Sequence, residues 1–476
     1  KRLGQRRRPF EAVPLRYRLE EDEIARIAVN EYRLPGVEVE AQLIRHYPYG
    51  QLFAHSIGYV GRINERELSG FDPEQYERYS GTHITGKIGL EKYYESISLG
   101  EVGHQNVETN ARGQVLRVLD RTDPVPGANL TLNLDVELQK TAFDAFEGRR
   151  GAAVVIDTQT GGVLAMVSTP SFDPNLFVTG ISFKDYRALN NSLDLPLFNR
   201  ALQAQYPPGS TVKPMLGLAG LHNGTIDKDY AIRDPGYYQL KGDDRVHRDW
   251  KPRGHGSHVN LKQAITESCD TYFWDLAFRT GIDRMHAFGV KFGLGSRTGV
   301  DVPSERRGIW PSREWKRGAR GLPWFPGDSL NMGLGQGDVL TTPIQLALMT
   351  STIANRGVRK RPLLVDTING EEISVDAPNQ TQVSQQHWDI IFNAMESVVH
   401  SVRGTAKVIR RGTKYQIAGK TGTAQVVAIK HGEKYDSEKL AERHRDHALF
   451  VAFAPVDKPR LATAVLVENG EKSSKA

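Results

Sequence analysis

Two stretches far apart in this chain share one pattern. "GAAVVIDTQTGGVLAMVST", from Gly151 to Thr169, is an apolar run, a Thr-Gly-Gly turn and a second apolar run. "HALFVAFAPVDKPRLATAVLVEN", from His447 to Asn469, repeats that pattern around an Asp-Lys-Pro turn. Each predicts a hairpin with a buried face. "TKYQIAGKTGTAQVVAI" predicts a further strand with glycine interruptions, and the stretches between the ends, such as "TTPIQLALMTSTIAN", are mostly helical with Gly/Pro loops. The arrangement that buries both hairpins is one antiparallel sheet drawn from the two ends, with a helical insertion between them, an α+β domain. No period of 20 to 50 residues recurs, which excludes a solenoid.

At 476 residues the chain exceeds a single ordinary core. Residues 1–125 are polar and rich in Arg, Glu and Tyr, and they predict a separate N-terminal domain, with 126–476 as the larger one. In the former, "LEEDEIARIAVNEY" spaces Ile24, Ile27 and Ala28 at helical intervals behind a run of acids, and "GKIGLEKYYESISLG" predicts a second helix. "LDRTDPVPGANL" reads as the linker, and "LTLNLDVELQKTAFDAF" as a strand followed by a helix.

The charge balance of +6 and pI of 9.1 are concentrated partly in "KRLGQRRRPF". With no RNA-recognition or helix-turn-helix signature, nucleic acid is not an expected partner, whereas a membrane surface or an anionic polymer fits the charge. Cys269 is the one cysteine, so no intrachain disulfide forms. No apolar run approaches 18 residues and no signal-peptide pattern opens the chain. Its start at Lys1 suggests an upstream segment that has been removed.

The chemistry centres on "QAQYPPGSTVKPMLGLAG", where two prolines and a glycine precede Ser210 and Lys213 follows three residues later. Helical spacing puts Ser210 and Lys213 on one face, in touch, with Pro214 tolerated in the first turn. A serine hydroxyl needs a neighbouring base, which a lysine can be, and a helix N-terminus offers N–H groups to an oxyanion. The bland alternative is a helix-capping serine followed by a surface lysine.

"ESCDTYF", holding Ser268 and Asp270, and "IAGKTGTAQ", holding Lys420, Thr421, Gly422 and Thr423, complete the order S-x-x-K, S-x-N, K-T-G, with Asp270 in place of asparagine. Lys420 offers a cation to a substrate carboxylate, and Gly422 allows an extended peptide to approach the strand. Thr423 and Ser210 N–H groups would form the oxyanion hole, and Ser268 with Lys213 would relay a proton to the leaving amine. An anionic Asp270 would favour charged Lys213 and weaken it as a base unless protonated or turned away.

Together with "GKIGLEKYYE", "GLGQGDVLTTPIQLA", "RDWK", "HGSH" and "DHALFVAFAP", these motifs resemble the class B penicillin-binding proteins, most closely the elongation-specific penicillin-binding protein 2 subgroup, from about residue 80 onward. The resemblance implies a penicillin-binding/serine β-lactamase-like transpeptidase domain behind an N-terminal pedestal. It further implies a D,D-transpeptidase whose Ser210 is acylated by peptidoglycan stem peptides and by β-lactams, with no cofactor needed for catalysis. It implies a RodA-type membrane glycosyltransferase and the elongation complex as partners. The location it implies is the periplasmic face of the bacterial inner membrane, through an N-terminal transmembrane helix absent from this sequence. A serine β-lactamase, a D,D-carboxypeptidase or a non-catalytic penicillin-binding scaffold are the competing readings.

"RDPGYYQLKGDDRVHRDWKPRGHGSH" crowds Asp234, Asp249, His255 and His258 upstream of Cys269. Asp234, Asp249, His255 and Cys269 form a candidate structural zinc set with no open position, bracing the wall that carries Ser268. The competing reading is a small buried cysteine. If Ser268 and Asp270 face the cleft, Cys269 points away from it. Trp250, Trp274 and Tyr272 are expected in the core, and Asp446 and His447 are expected to be structural.

Overall fold

The computed structural model describes residues 15–41, 43–79, 82–110, 115–375, 377–427 and 440–470. The basic opening "KRLGQRRRPF" lies outside them. The chain forms two compact units. The smaller draws on Lys1–Gly50, Gly58–Ala128 and Asp173–Tyr186, and the larger on Gln51–Ile57, Asn129–Phe172 and Arg187–Ala476.

In the smaller unit the predicted helix spans Glu21–Val29, with Glu21, Asp22 and Glu23 in its first turn, where the dipole favours acids. The predicted second helix starts later than its pattern suggests. Gly86, Lys87 and Ile88 belong to a strand, Ile84–Ile88, paired with Tyr59–Arg62, and two short helices follow at Gly89–Tyr93 and Glu95–Ser98. Buried Glu91 explains part of the break from amphipathic spacing, since its carboxylate takes the Arg45 guanidinium at 2.6 Å and the Tyr47 hydroxyl at 3.0 Å. The predicted linker is shorter than expected, because Leu119–Thr122 finishes the strand Val115–Thr122, paired with His104–Thr109.

The larger unit is built on one five-stranded antiparallel sheet. Its strands are β1 (Gly151–Asp157), β2 (Val163–Thr169), β3 (Ala418–Ala424), β4 (His447–Ala454) and β5 (Leu461–Val467), in the spatial order β3-β4-β5-β1-β2. Both hairpins form, and β5 joins them by pairing with β1, Val465 opposite Ala153. Every residue of β1 is buried, alternate positions included, so both faces of the sheet are covered rather than one.

Part of the coverage precedes the first hairpin, where Phe146 and the helix Val136–Asp144 pack on Ala153 and Val167, and part comes from the insertion. Helix α3 (Pro343–Ala354), buried at all twelve positions, packs on β5 and β1, while α4 (Gln385–His400) packs on β3. Pro343 at its first position and the reciprocal bonds of Thr342 and Gln345 start α3 as a capping box. Strand β3 carries the Lys-Thr-Gly motif and lies at the sheet edge, where among the described residues no strand pairs with its outer side.

Candidate active site

The chain approaches the serine through Pro207, Pro208 and Gly209, then makes a 3-10 turn, Gly209–Val212, that runs into helix α1 (Lys213–His222). Ser210 is not the cap, because it lies inside the turn, whose N-cap is Pro208, and the helix that follows is capped by Val212. Gly209 has φ +54°, and a Cβ there would lie 2.4 Å from the Thr423 carbonyl oxygen. Glycine is therefore needed for both conformation and space.

Opposite, Ser268 adopts φ +58°, a left-handed backbone that a non-glycine residue holds at some energetic cost. Its hydroxyl lies between two buried lysines. Lys420 Nζ donates to Ser268 Oγ at 2.9 Å, and Lys213 Nζ donates to the same oxygen at 3.4 Å and to the Ser268 carbonyl at 3.1 Å. Burial, with the charge of Lys213 beside it, pushes the Lys420 ammonium well below the ordinary lysine value. Lys213 donates its shortest bond to Asp270 Oδ1, at 2.6 Å. Asp270 is therefore turned toward the lysine, not away. Among the described residues no hydrogen bond joins Lys213 to Ser210.

The Lys-Thr-Gly strand is held against the serine turn by residues whose spacing carried no role. Gln336 Nε2 donates to the Thr423 carbonyl at 2.8 Å, and Gly209 N–H donates to the Gly335 carbonyl at 2.9 Å. A Cβ on Gly422 would meet the Thr211 methyl at 2.6 Å, so that glycine admits the chain's own turn. The Thr421 hydroxyl meets that of Thr405 at 2.7 Å. The legible signal was the glycine pair around Gln336 in "GLGQG", which marks close backbone approach.

Cys269 is fully buried and its Sγ lies 3.3 Å from Asp234 Oδ2. One donor atom each from Asp234, Asp249, His255 and Cys269 falls within 4.8 Å of the others, and all four residues are buried. His258 is exposed and outside the group. Asp249 Oδ2 also accepts the N–H groups of Asp270 and Thr271, at 2.8 and 3.0 Å, at the start of helix α2 (Asp270–Thr280). Burial and the Asp270 charge push the Asp249 carboxyl up, and burial and Asp249 push the Cys269 thiol up. A dication would reverse both. The His255 Nε2 atom is buried without a partner among the described residues.

Trp274 and Tyr272 are in the core, as expected, but Trp250 is 58% exposed and its indole N–H donates to the Ser268 carbonyl at 3.1 Å. At the start of β4 the bonds are structural: Asp446 accepts the Val426 N–H and His447 Nδ1 accepts the Asn469 N–H.

A serine entering a helix, a second serine wedged between two lysines, and an edge strand beside them are the equipment of acyl transfer onto a peptide, and the sheet behind them is that of the penicillin-recognising serine enzymes. The chain belongs to the penicillin-binding protein transpeptidases: the penicillin binding protein transpeptidase domain matches residues 151–476 and the penicillin-binding protein dimerisation domain residues 1–132. It is 47% identical over 474 residues to the peptidoglycan D,D-transpeptidase MrdA of Acinetobacter baumannii, covering 98% of this chain and 70% of that protein. Pseudomonas aeruginosa PBP2 in complex with WCK 5153 superposes with TM-score 0.81 and 48% identity over 92% of this chain and 88% of that one. PBP2 of Helicobacter pylori in complex with MreC gives 0.85 and 33%, over 97% and 82%. The penicillin G acyl-enzyme of penicillin-binding protein A from M. tuberculosis gives 0.67 and 25%, over 92% and 91%.

Proposed function

We propose that this chain is a peptidoglycan D,D-transpeptidase that crosslinks stem peptides through a Ser210 acyl-enzyme and is acylated there by β-lactams. The observation that carries this is the Ser268 hydroxyl bridging Lys213 and Lys420 beside the edge strand β3. Relatives named as peptidoglycan D,D-transpeptidases support it.

In this reading a donor peptide lies along β3 with its terminal carboxylate at Lys420 and Thr421. Ser210 Oγ attacks the penultimate carbonyl and passes its proton to Lys213, which must act here as the neutral amine, its proton given up across the 2.6 Å contact to Asp270. The oxyanion takes the Ser210 and Thr423 N–H groups. As the C–N bond breaks, the proton moves through Ser268 Oγ to the departing amine, and terminal D-alanine leaves. An amine on a neighbouring strand then attacks the ester, forming the crosslink and returning the proton to Ser210. Incubating the protein with a D-Ala-D-Ala donor and an amine acceptor should release D-alanine and form the amide. Release without amide would favour a carboxypeptidase.

Asp234, Asp249, His255 and Cys269 fit a zinc ion: sulfur, imidazole and two carboxylates converge, with His255 Nδ1 2.6 Å from Asp234 Oδ2 and 3.8 Å from Asp249 Oδ1. Bound there, zinc would supply no acyl-transfer chemistry. It would join the loop before Ser268 to the start of α2.

The division at residue 125, with an N-terminal pedestal, follows the same reading. So do a RodA-type glycosyltransferase partner and residence at the periplasmic face of the bacterial inner membrane through an N-terminal anchor helix. The solved complex of H. pylori PBP2 with MreC and a peptidoglycan synthase complex of similar fold support an assembly of this kind. Among the described residues no helix is long and apolar enough to cross a membrane.

A further inference from the structure

We infer that residues 401–416 are the docking surface for the amine-bearing acceptor peptide, held by its free carboxylates. This rests on the transpeptidase reading above.

The segment "SVRGTAKVIRRGTKYQ" carries Arg403, Lys407, Arg410, Arg411 and Lys414 and no acidic residue. All five cations are exposed. Among the described residues only Arg403 meets a carboxylate, that of Glu267, at 3.6 Å. Lys407 and Arg410 instead donate to the nearby carbonyls of Val402 and His400, at 3.2 and 3.0 Å. Val402, Val408 and Tyr415, also exposed, interleave apolar surface with the charge.

A basic run alone is more often a solvated face. This one is fastened to the reaction centre at three points. Thr405 N–H donates to the Thr266 carbonyl at 3.3 Å, its hydroxyl meets that of Thr421, and Arg403 reaches Glu267, the residue before Ser268. The segment therefore abuts the Lys420–Thr421 part of β3, where the donor's terminal carboxylate sits in the proposed mechanism. When D-alanine departs, the acceptor amine must enter from the vacated side. The acceptor's remaining length then lies against what borders Thr421, which is this segment. The amine attacks the ester carbonyl, the C–N bond forms, the C–Oγ bond of Ser210 breaks, and the amine's surplus proton passes through Lys213 to Ser210 Oγ. An acceptor arm with free carboxylates complements unneutralised cations, and its amine would be delivered rather than captured by them.

The test uses the protein acylated with benzylpenicillin, so that the donor side is filled. Two probes are titrated: a synthetic acidic peptide with one free side-chain amine, and the same peptide with its carboxylates amidated. Wild type is expected to bind the acidic form about tenfold more tightly than the amidated one, with the preference shrinking as salt rises. R410E/R411E should abolish the preference, and R410Q/R411Q should reduce it, with benzylpenicillin acylation unchanged in both. Equal binding of the two peptides, binding of neither, or a preference that survives charge reversal overturns the inference. So does sedimentation of wild type but not R410E/R411E with anionic vesicles when the peptide preference is unaltered, which would assign the surface to lipid. Failure of wild type to form the penicillin adduct would instead remove the underlying transpeptidase reading, and this inference with it.

Discussion

Asp270 is where this site departs from the pattern of its motif, and the departure has a local cause. Its carboxylate is 2.6 Å from Lys213 Nζ, while its N–H donates to Asp249. Asparagine keeps an acceptor for the lysine and the same backbone bond, and removes only the charge. Asp270→Asn should therefore retain benzylpenicillin acylation within about tenfold of wild type, by stopped-flow or timed intact mass. Loss of acylation would show that the anion itself is required. Ser268→Ala should be far worse, slowing acylation about a hundredfold, because it removes the hydroxyl shared by both lysines and burdens a left-handed backbone. The convergence of Lys213, Ser268 and Lys420 was legible from three short motifs. The exposure of Trp250 was not, since an aromatic beside apolar neighbours reads as core until the fold places its N–H on Ser268.

At the scale of elements, the serine turn is positioned by loops rather than by regular structure. Gly335 has φ +65°, and a Cβ there would fall 2.4 Å from the Gly209 carbonyl. Gly335→Ala should displace the approach to Ser210 and slow acylation between tenfold and about a hundredfold with secondary structure intact by circular dichroism. An unchanged rate would show that the loop does not set the serine's position. The two hairpins and the helical stretch that holds α3 were legible because apolar runs around a turn and helical spacing are local signals. The late start of the Gly89 helix was not, because Glu91 and Glu95 serve buried or partly buried partners that no local pattern reveals. The proposed metal group belongs at this scale too, since a bound ion would tie the loop before Ser268 to α2. Protein purified without added metal should contain close to one equivalent of zinc, and less than about a tenth by elemental analysis would end that proposal.

Across the whole molecule, sequence order and spatial order differ. Gln51–Ile57, from the N-terminal third, is built into the larger unit, where Gln139 donates to the Leu52 carbonyl, Ser171 to that of Gln51 and Asn199 to that of His55. Composition alone marks no such exchange, because it turns on backbone carbonyls every residue has. His55 within this segment is buried, and burial with the nearby charge of Arg200 pushes its imidazole down to about 4. The unfolded chain takes up that proton near pH 6.5, so the folded state's advantage is complete above this value and is lost as pH falls toward 4, about 3 kcal/mol in all. The urea midpoint of wild type should fall more steeply between pH 6.5 and 4.5 than that of His55→Leu. Parallel slopes would show that this histidine does not govern acid stability.

The central claim is that Ser210 is an activated nucleophile rather than a turn residue. The most direct measurement is intact mass of the protein during incubation with benzylpenicillin, followed by peptide mapping of any adduct. A persistent adduct on Ser210, absent in Ser210→Ala, is the expected result. A transient adduct with hydrolysed drug would make the protein a β-lactamase, and no adduct on folded protein would contradict the account.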